Sequence, residues 1–205
     1  MTDKKDVLKP QLWTPRPVAE TMAVYADWAE TYDAEVTSRG YHTPARIAAA
    51  LVPLIDPRAP VLDYGCGTGL SGIALHQAGL SCLDGTDITP QMLAKAEARG
   101  LYRKTWLSEP GVLSFGRGAY RAITAIGVVS LGAAPADLLG ALVAKLGTGD
   151  LLALSFNDPT LADASYADAL GAEVGAGRVE VVFREHGPHL DDVGMGSDVI
   201  VLRRR

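Results

Sequence analysis

Residues 61–69, Val61-Leu62-Asp63-Tyr64-Gly65-Cys66-Gly67-Thr68-Gly69, constrain the fold more than any other stretch of the chain. Aliphatic residues run into an Asp, and three glycines follow at alternate positions. Glycine enters the left-handed backbone region freely and lets a ligand or another chain approach closely. Such a run ends a buried strand in a tight turn and then opens a helix. Gly67, Gly69 and Gly72 also form a Gly-x-Gly-x-x-Gly pattern, and a second acidic strand end, Cys82-Leu83-Asp84-Gly85-Thr86-Asp87-Ile88, follows one helix later. An acid about 20 residues beyond the turn is placed to hydrogen-bond a ribose. The two segments together point to a nucleoside-containing cofactor; the plain alternative is a tight strand-to-helix turn.

Around this turn, strand and helix patterns alternate. Apolar runs at 61–64, 81–86, 102–107, 119–127 and 150–156 predict five strands, with helical patterns at 70–78, 90–99 and 135–146 between them. Residues 150–156 are almost continuously apolar, as expected of a strand covered on both faces. Residues 109–118 contain glycines and predict a connection shorter than a full helix. Alternation of this kind builds a parallel sheet with helices on both faces. After a helix at 161–170, strands at 178–184 and 197–202 are joined only by a Gly-, Pro- and His-containing loop, so this pair must be antiparallel. The expected fold class is therefore α/β: a Rossmann-like, seven-stranded, mostly parallel sheet with an antiparallel last strand. Upstream, apolar spacing predicts a helix over 18–38, with Tyr25, Trp28 and Tyr32 on one face. For Tyr25 and Trp28 the expected role is packing against the sheet. A second, Ala-rich helix spans 44–54, with Thr43 as its N-cap. Pro10, Pro15 and Pro17 exclude a helix from residues 1–17, which are expected to form a mobile or draped arm.

The 205 residues fit one domain, 18–205, with a core of useful size. Hydrophobic residues make up 48% and charged residues 21%, which places the chain among ordinary globular proteins. A net charge of −5 argues against nonspecific nucleic-acid affinity, which needs clustered Lys and Arg to displace counterions. Arg203-Arg204-Arg205 reads as a solvated tail. Cys66 and Cys82 lack metal-ligand spacing and read as reduced, buried thiols of a cytosolic protein, with no metal site. No apolar run reaches the ~18 residues that span a bilayer, and the first residues lack the apolar core of a signal peptide. The expected partner is a small molecule, with no nucleic acid and no membrane. The expected setting is cytoplasmic, as a monomer or homodimer.

Asp63 through Gly69 and Asp87 resemble the glycine-rich loop and ribose-binding acid of the class I S-adenosylmethionine-dependent methyltransferases. Asp87-Ile88-Thr89-Pro90-Gln91-Met92-Leu93, Ala98-Arg99-Gly100-Leu101-Tyr102 and, upstream, Tyr25, Trp28 and Tyr32-Asp33 are similar to the methyltransferase-like proteins related to the Williams-Beuren-region methyltransferase. The resemblance implies S-adenosyl-L-methionine as cofactor. Asp63, Gly65, Cys66, Gly67 and Gly69 would form the loop beside its methionine half, with N–H groups of the three glycines facing the ligand. Asp87 would accept both ribose hydroxyls, with Asp84 the weaker candidate for that task. Ile88 and Met92 would pack on the adenine, although both also read as simple core residues. Gly127, at the end of strand four, would be among the cofactor-binding residues, and the Tyr32 hydroxyl would close over the methionine carboxylate. Residues 18–55 would form a helical lid, and the loop 187–196 a second wall. The chain departs from the pattern where strand three ends Trp106-Leu107-Ser108 instead of in an acid, so Ser108 or a backbone carbonyl must substitute. The entry to strand four, Tyr120-Arg121-Ala122, departs as well.

Methyl transfer needs no nucleophile from the protein, since in-line positioning and desolvation supply much of the acceleration. A general base helps only when the acceptor loses a proton. His186 and His189 are the candidates for that role or for orienting substrate; ordinary loop histidines are the plain alternative. The Asn/Asp-Pro-Pro-aromatic motif of amino-methyltransferases is replaced after strand four by Ile126-Gly127-Val128-Val129-Ser130, and Asn157-Asp158-Pro159 follows strand five as a turn. A small-molecule acceptor is therefore expected. Two other readings stay open. One is a cofactor-binding regulator or scaffold without catalysis. The other is an NAD(P)-dependent oxidoreductase, disfavoured because Asp63 stands where that fingerprint wants an apolar residue.

Overall fold

The computed structural model describes residues 12–205; the expected arm at 1–17 falls outside them up to residue 11. Seven strands form one sheet: β1 (Val61–Tyr64), β2 (Leu83–Asp87), β3 (Lys104–Leu107), β4 (Ala122–Ala125), β5 (Leu151–Asn157), β6 (Val179–Leu190) and β7 (Met195–Arg204). Their order is β3-β2-β1-β4-β5-β7-β6. The pairings among β1 to β5 are parallel, while β7 runs antiparallel to both β5 and β6. Strand order reverses at the β1–β4 boundary, and there the flanking loops separate to leave a crevice beyond the carboxyl ends of the strands.

Side-chain alternation divides the interior into two layers. Leu152, Leu154 and Phe156 of β5 join Leu62, Ile123, Ile200 and Leu202 on one face. Helices α6 (Asp137–Lys145) and α8 (Ala164–Gly175) cover that face with Leu139, Leu142, Tyr166 and Leu170. Leu151 and Ala153 point the other way, toward Val61, Val199 and Val201. There α3 (Thr43–Leu51) and α4 (Leu70–Gln77) supply Ile47, Leu51 and Leu75. A third, smaller group sets Leu93 and Ala96 of α5 (Pro90–Ala98) against Cys66.

Five local expectations change. The helix expected over 18–38 divides into α1 (Val18–Trp28) and α2 (Tyr32–Ser38). At the break, the Thr31 N–H donates to the Trp28 carbonyl at 3.1 Å, and the Tyr32 ring meets Trp28 edge-on at 4.7 Å. Thr43 is not an N-cap. It lies inside α3, and its hydroxyl is engaged by His189 Nδ1 at 2.7 Å and Ser197 Oγ at 3.0 Å. The loop expected at 187–196 is mostly hairpin: β6 runs on to Leu190, paired His186↔Asp198 and Leu190↔Met195, with a register shift after Pro188. Proline has no N–H to offer the ladder, so the irregularity falls where a donor is missing. The hairpin turns through a 3-10 segment, Asp191–Val193, and Gly194. The C-terminal arginines are a strand end, not a solvated tail, with Arg203 and Arg205 paired to Glu180. Of the two thiols, Cys66 is buried and Cys82 only half-buried.

Candidate functional site

At the crevice, a cavity of about 440 Å³ is bounded by the end of β1, the loop after it, the end of β2, the segment after β4 and the N-terminal helices. The glycine loop is shaped by its own hydrogen bonds. The Gly65 and Cys66 N–H groups both donate to the Thr86 carbonyl, at 2.8 and 3.0 Å, and Gly69 N–H donates to the Cys66 carbonyl at 2.8 Å. Gly67 N–H donates to Asp87 Oδ2 at 2.8 Å. The expectation that these N–H groups face the ligand is thus corrected: each is already satisfied within the protein. What the glycines provide is space. A Cβ on Gly65, at φ +71°, would stand 2.4 Å from Val128, whereas one on Gly67 would meet nothing within 4 Å.

Two buried acids stand close together and differ in what surrounds them. Asp63 accepts from Ser71 Oγ at 2.5 Å, Tyr102 Oη at 2.7 Å and Thr124 Oγ1 at 3.0 Å. Burial raises its pKa against the opposing pull of those bonds. It does not line the cavity; it ties the glycine loop to α4, β4 and the segment before β3. Asp87 does line the cavity. Its two oxygens accept from the Gly67 and Thr89 N–H groups, each at 2.8 Å, and burial again raises its pKa while backbone bonds lower it. Each oxygen keeps lone-pair capacity for a second donor. Asp84 sits elsewhere, clamped by Arg103 at 2.9 Å through both guanidinium contacts and by Tyr120 at 2.8 Å.

Of the residues singled out in the sequence, Tyr32, Gly65, Gly67, Asp87, Ile88, Met92, Ser108 and Gly127 line the cavity. Asp63, Cys66 and Gly69 lie behind it. Cys66 packs on Leu93 and Ala96, where burial pushes its thiol well above the ordinary range; Gly69 caps α4 at φ +90°. Ser108 Oγ is buried on the wall and has no hydrogen-bond partner among the described residues. Sequence reasoning missed Tyr64 and the segment from Ala133 to Ala141, which also form walls. The aromatic at the last position of β1 was a usable signal for Tyr64. Nothing local marks the 133–141 segment, because only the fold brings it across the crevice.

Tyr25 and Trp28 are corrected from sheet packing to pocket walls. Tyr25 faces the main cavity and a smaller recess, and Trp28 faces the recess. The lid is tied down next to them. Asp33 accepts from Thr68 Oγ1 at 2.5 Å and pairs with Arg99, whose Nε also donates to the Thr68 carbonyl at 2.6 Å. Lys95 of α5 reaches Glu30 at 2.6 Å.

The two candidate histidines are separated by the hairpin's pleat. His186 is exposed and paired with Asp198 at 2.9 Å and Asp158 at 3.6 Å, and it does not line the cavity. His189 is buried on the recess wall. Burial pushes its pKa down to about 4, with Arg46 adding to the fall and Asp158 opposing it. It is therefore neutral at pH 7.

A family model described as "Methyltransferase domain" matches residues 61–149. Methyltransferase-like protein 27 of Homo sapiens is 33% identical over 162 residues, covering 76% of this chain and 64% of that protein. The 18S rRNA (guanine(1575)-N(7))-methyltransferase of Saccharomyces cerevisiae is 31% identical over 118 residues, covering 56% of this chain and 42% of that protein. The chain thus spans less than two thirds of the length of either relative. The crystal structure of the [4+2]-cyclase SpnF superposes with a TM-score of 0.68 at 14% identity, covering 93% of this chain and 98% of that one. The expected partner set, a small molecule to the exclusion of nucleic acid, is corrected by these relatives, since one at 31% identity is named for methylating ribosomal RNA. Net charge averages over the surface, so an acidic total does not exclude a local patch that meets nucleic acid. Among the described residues no helix is long and apolar enough to cross a membrane.

Proposed function

We propose that the chain is a class I S-adenosylmethionine-dependent methyltransferase and that the cavity at the β1–β4 crevice holds S-adenosylmethionine as cofactor for methyl transfer to an acceptor entering beneath the N-terminal helices. The observation that carries the reading is Asp87. A buried carboxylate stands on the cavity wall, oriented through both oxygens by backbone N–H groups and with lone-pair capacity left on each for a ribose hydroxyl. The cofactor's chemistry is that of an activated methyl sulfonium.

The residues present fit it. Asp87 accepts the ribose hydroxyls, and the partnerless Ser108 hydroxyl takes an adenine edge atom in place of the acid missing after β3. Ile88 and Met92 offer apolar contact to the base. Tyr32 presents a hydroxyl with no partner among the described residues, and its pKa is raised well above the ordinary range by burial, so it donates. The walls exclude water from the reacting atoms, and positioning rather than proton transfer supplies the acceleration. Proton transfer is assigned to neither histidine in this reading: His186 faces Asp198 and does not line the cavity, and His189, with its lowered pKa, is a weak base whose Nδ1 is already engaged by Thr43. An acceptor group must be slender enough to enter beside the cofactor, which a small molecule or one protruding residue or base satisfies.

Isothermal titration with S-adenosylhomocysteine and S-adenosylmethionine tests the reading, followed by transfer of labelled methyl to pools of small molecules, RNA and protein. Binding with transfer to one pool is the expected result. Absence of binding to either compound at high micromolar concentration overturns the reading, and binding without transfer to any pool favours a regulator or scaffold instead.

A further inference from the structure

Beside the main cavity lies a recess of about 70 Å³ that shares Tyr25, Tyr32, Tyr41, Gly127 and Ala133 with it. Its other walls include Trp13, Trp28, Asn157 and His189. The Tyr25 and Trp28 rings are stacked at 6.2 Å, Trp28 and Tyr32 meet edge-on at 4.7 Å, and Tyr41 meets His189 edge-on at 5.4 Å. No Asp, Glu, Lys or Arg lines the recess among the described residues.

Resting on the reading of the main cavity given above, we propose that this recess, together with the adjoining edge of the main cavity whose walls it shares, is the acceptor subsite and that it takes a neutral, planar aromatic or heteroaromatic ring carrying a hydrogen-bonding substituent, the recess alone being smaller than the roughly 150 Å³ that holds benzene. Stacked and edge-on aromatic walls favour a flat π-system over a saturated group of equal size. The charge of the acceptor follows from its neighbours. A cationic acceptor would sit next to a sulfonium with no carboxylate on the recess wall to offset the repulsion, and an anionic one would find no Lys or Arg there.

The polar part of the ring has donors waiting for it. Tyr25, Tyr32 and Tyr41 line both cavities, and none of their hydroxyls has a hydrogen-bond partner among the described residues. A Cβ on Gly127, which lines both as well, would lie 3.7 Å from the Tyr41 hydroxyl. His189 is held in place through Thr43, which also meets Ser197, and Arg46 donates to Ser197 Oγ at 3.1 Å. That chain of contacts fixes the imidazole on the recess wall from behind. The Tyr41 and His189 walls are set where lid meets hairpin, by the bridge Tyr41↔Leu190 and by the His42 N–H donating to the His189 carbonyl at 3.1 Å.

The test uses the full chain saturated with S-adenosylhomocysteine and titrated with phenol, cyclohexanol, benzoate and benzylammonium. Phenol is expected to bind about tenfold more tightly than cyclohexanol or either charged ring. His189 lines the recess and not the main cavity, so His189→Gln should weaken phenol severalfold and leave S-adenosylhomocysteine affinity unchanged, and Trp28→Leu should weaken phenol severalfold as well. Should Trp28→Leu fail to fold, His189→Gln alone still decides between the outcomes. Competition by uridine and by a single-stranded RNA oligomer then identifies the source of the ring: displacement by the oligomer alone means a base within RNA, and displacement by neither means a free small aromatic. Equal affinity for phenol and cyclohexanol, or preference for benzylammonium, overturns the proposal. Loss of S-adenosylhomocysteine binding with phenol binding intact would instead count against the cofactor reading.

Discussion

Asp63 near the end of β1 and Asp87 at the end of β2 lie on adjacent parallel strands, and their carboxylates do different work because one is taken up by side-chain donors and the other is held by backbone on an open wall. Asp87→Ala should weaken S-adenosylhomocysteine binding by roughly 2–4 kcal/mol, the value of two charge-assisted hydrogen bonds, as read by isothermal titration. Asp63→Ala should act on the fold instead, leaving Ser71, Tyr102 and Thr124 hydroxyls without their acceptor and lowering stability by about 3 kcal/mol in urea unfolding. His189 yields a pH prediction. Its native pKa, about 4, lies below the 6.5 of an exposed imidazole, so between those values the unfolded chain binds a proton that the native chain refuses. Its contribution is complete above pH 6.5 and declines as pH falls toward 4, by at most about 3 kcal/mol. Asp63 and Asp87, with raised pKa values, gain stability on acidification and work in the opposite sense. The measurement is therefore a difference: stability of the parent minus that of His189→Gln, which should fall as pH drops through this window.

At the scale of elements, the lid is a helix pair pinned to the glycine loop by side chains. Asp33 of α2 contacts Thr68 of the loop and Arg99 just beyond α5, so three separate segments meet on one carboxylate. The pair is partly exposed, and such contacts contribute about 1 kcal/mol. Asp33→Asn should therefore leave the melting temperature within a few degrees of the parent, speed amide exchange across residues 29–40, and weaken cofactor binding severalfold, since Tyr32 loses its anchor. The sequence marked Tyr32-Asp33 as a pair to watch. It did not reveal that Asp33 is the fastening, because its partners Thr68 and Arg99 are 35 and 66 residues away. Likewise the alternation of apolar residues located every strand of the sheet, while the length of β6 was missed. Gly187 and Pro188 read locally as breakers, and pairing with β7 overrides that local preference.

Across the whole molecule, the sheet is a rigid base packed on both faces, and the ligand-facing walls come from segments at its rim. Leu152→Ala in the β5 layer should cost about 2–5 kcal/mol of unfolding free energy without altering the cavity. Occupancy of the cavity should be felt mainly at the rim. Hydrogen exchange with and without S-adenosylhomocysteine should show protection from Trp13 to Tyr41, greatest near Tyr32, with little change in β5. Equal exchange of that segment in both states would mean the helices are ordinary core.

The strand-turn-helix at 61–69, the acid at Asp87 and the alternating α/β pattern were determined by the sequence itself. Each is a local matter: a glycine's φ, a strand's period, an acid at a fixed distance from a turn. Only the tertiary structure decided which of two buried acids faces the cavity, that the glycine N–H groups are consumed internally, and that His186 and His189 point to different surroundings. Those outcomes depend on partners brought from distant segments, Tyr102 and Thr124 to Asp63, Thr43 to His189, Asp198 to His186. A side chain's burial and hydrogen bonds are properties of that assembled neighbourhood, and no window of sequence around the residue contains it.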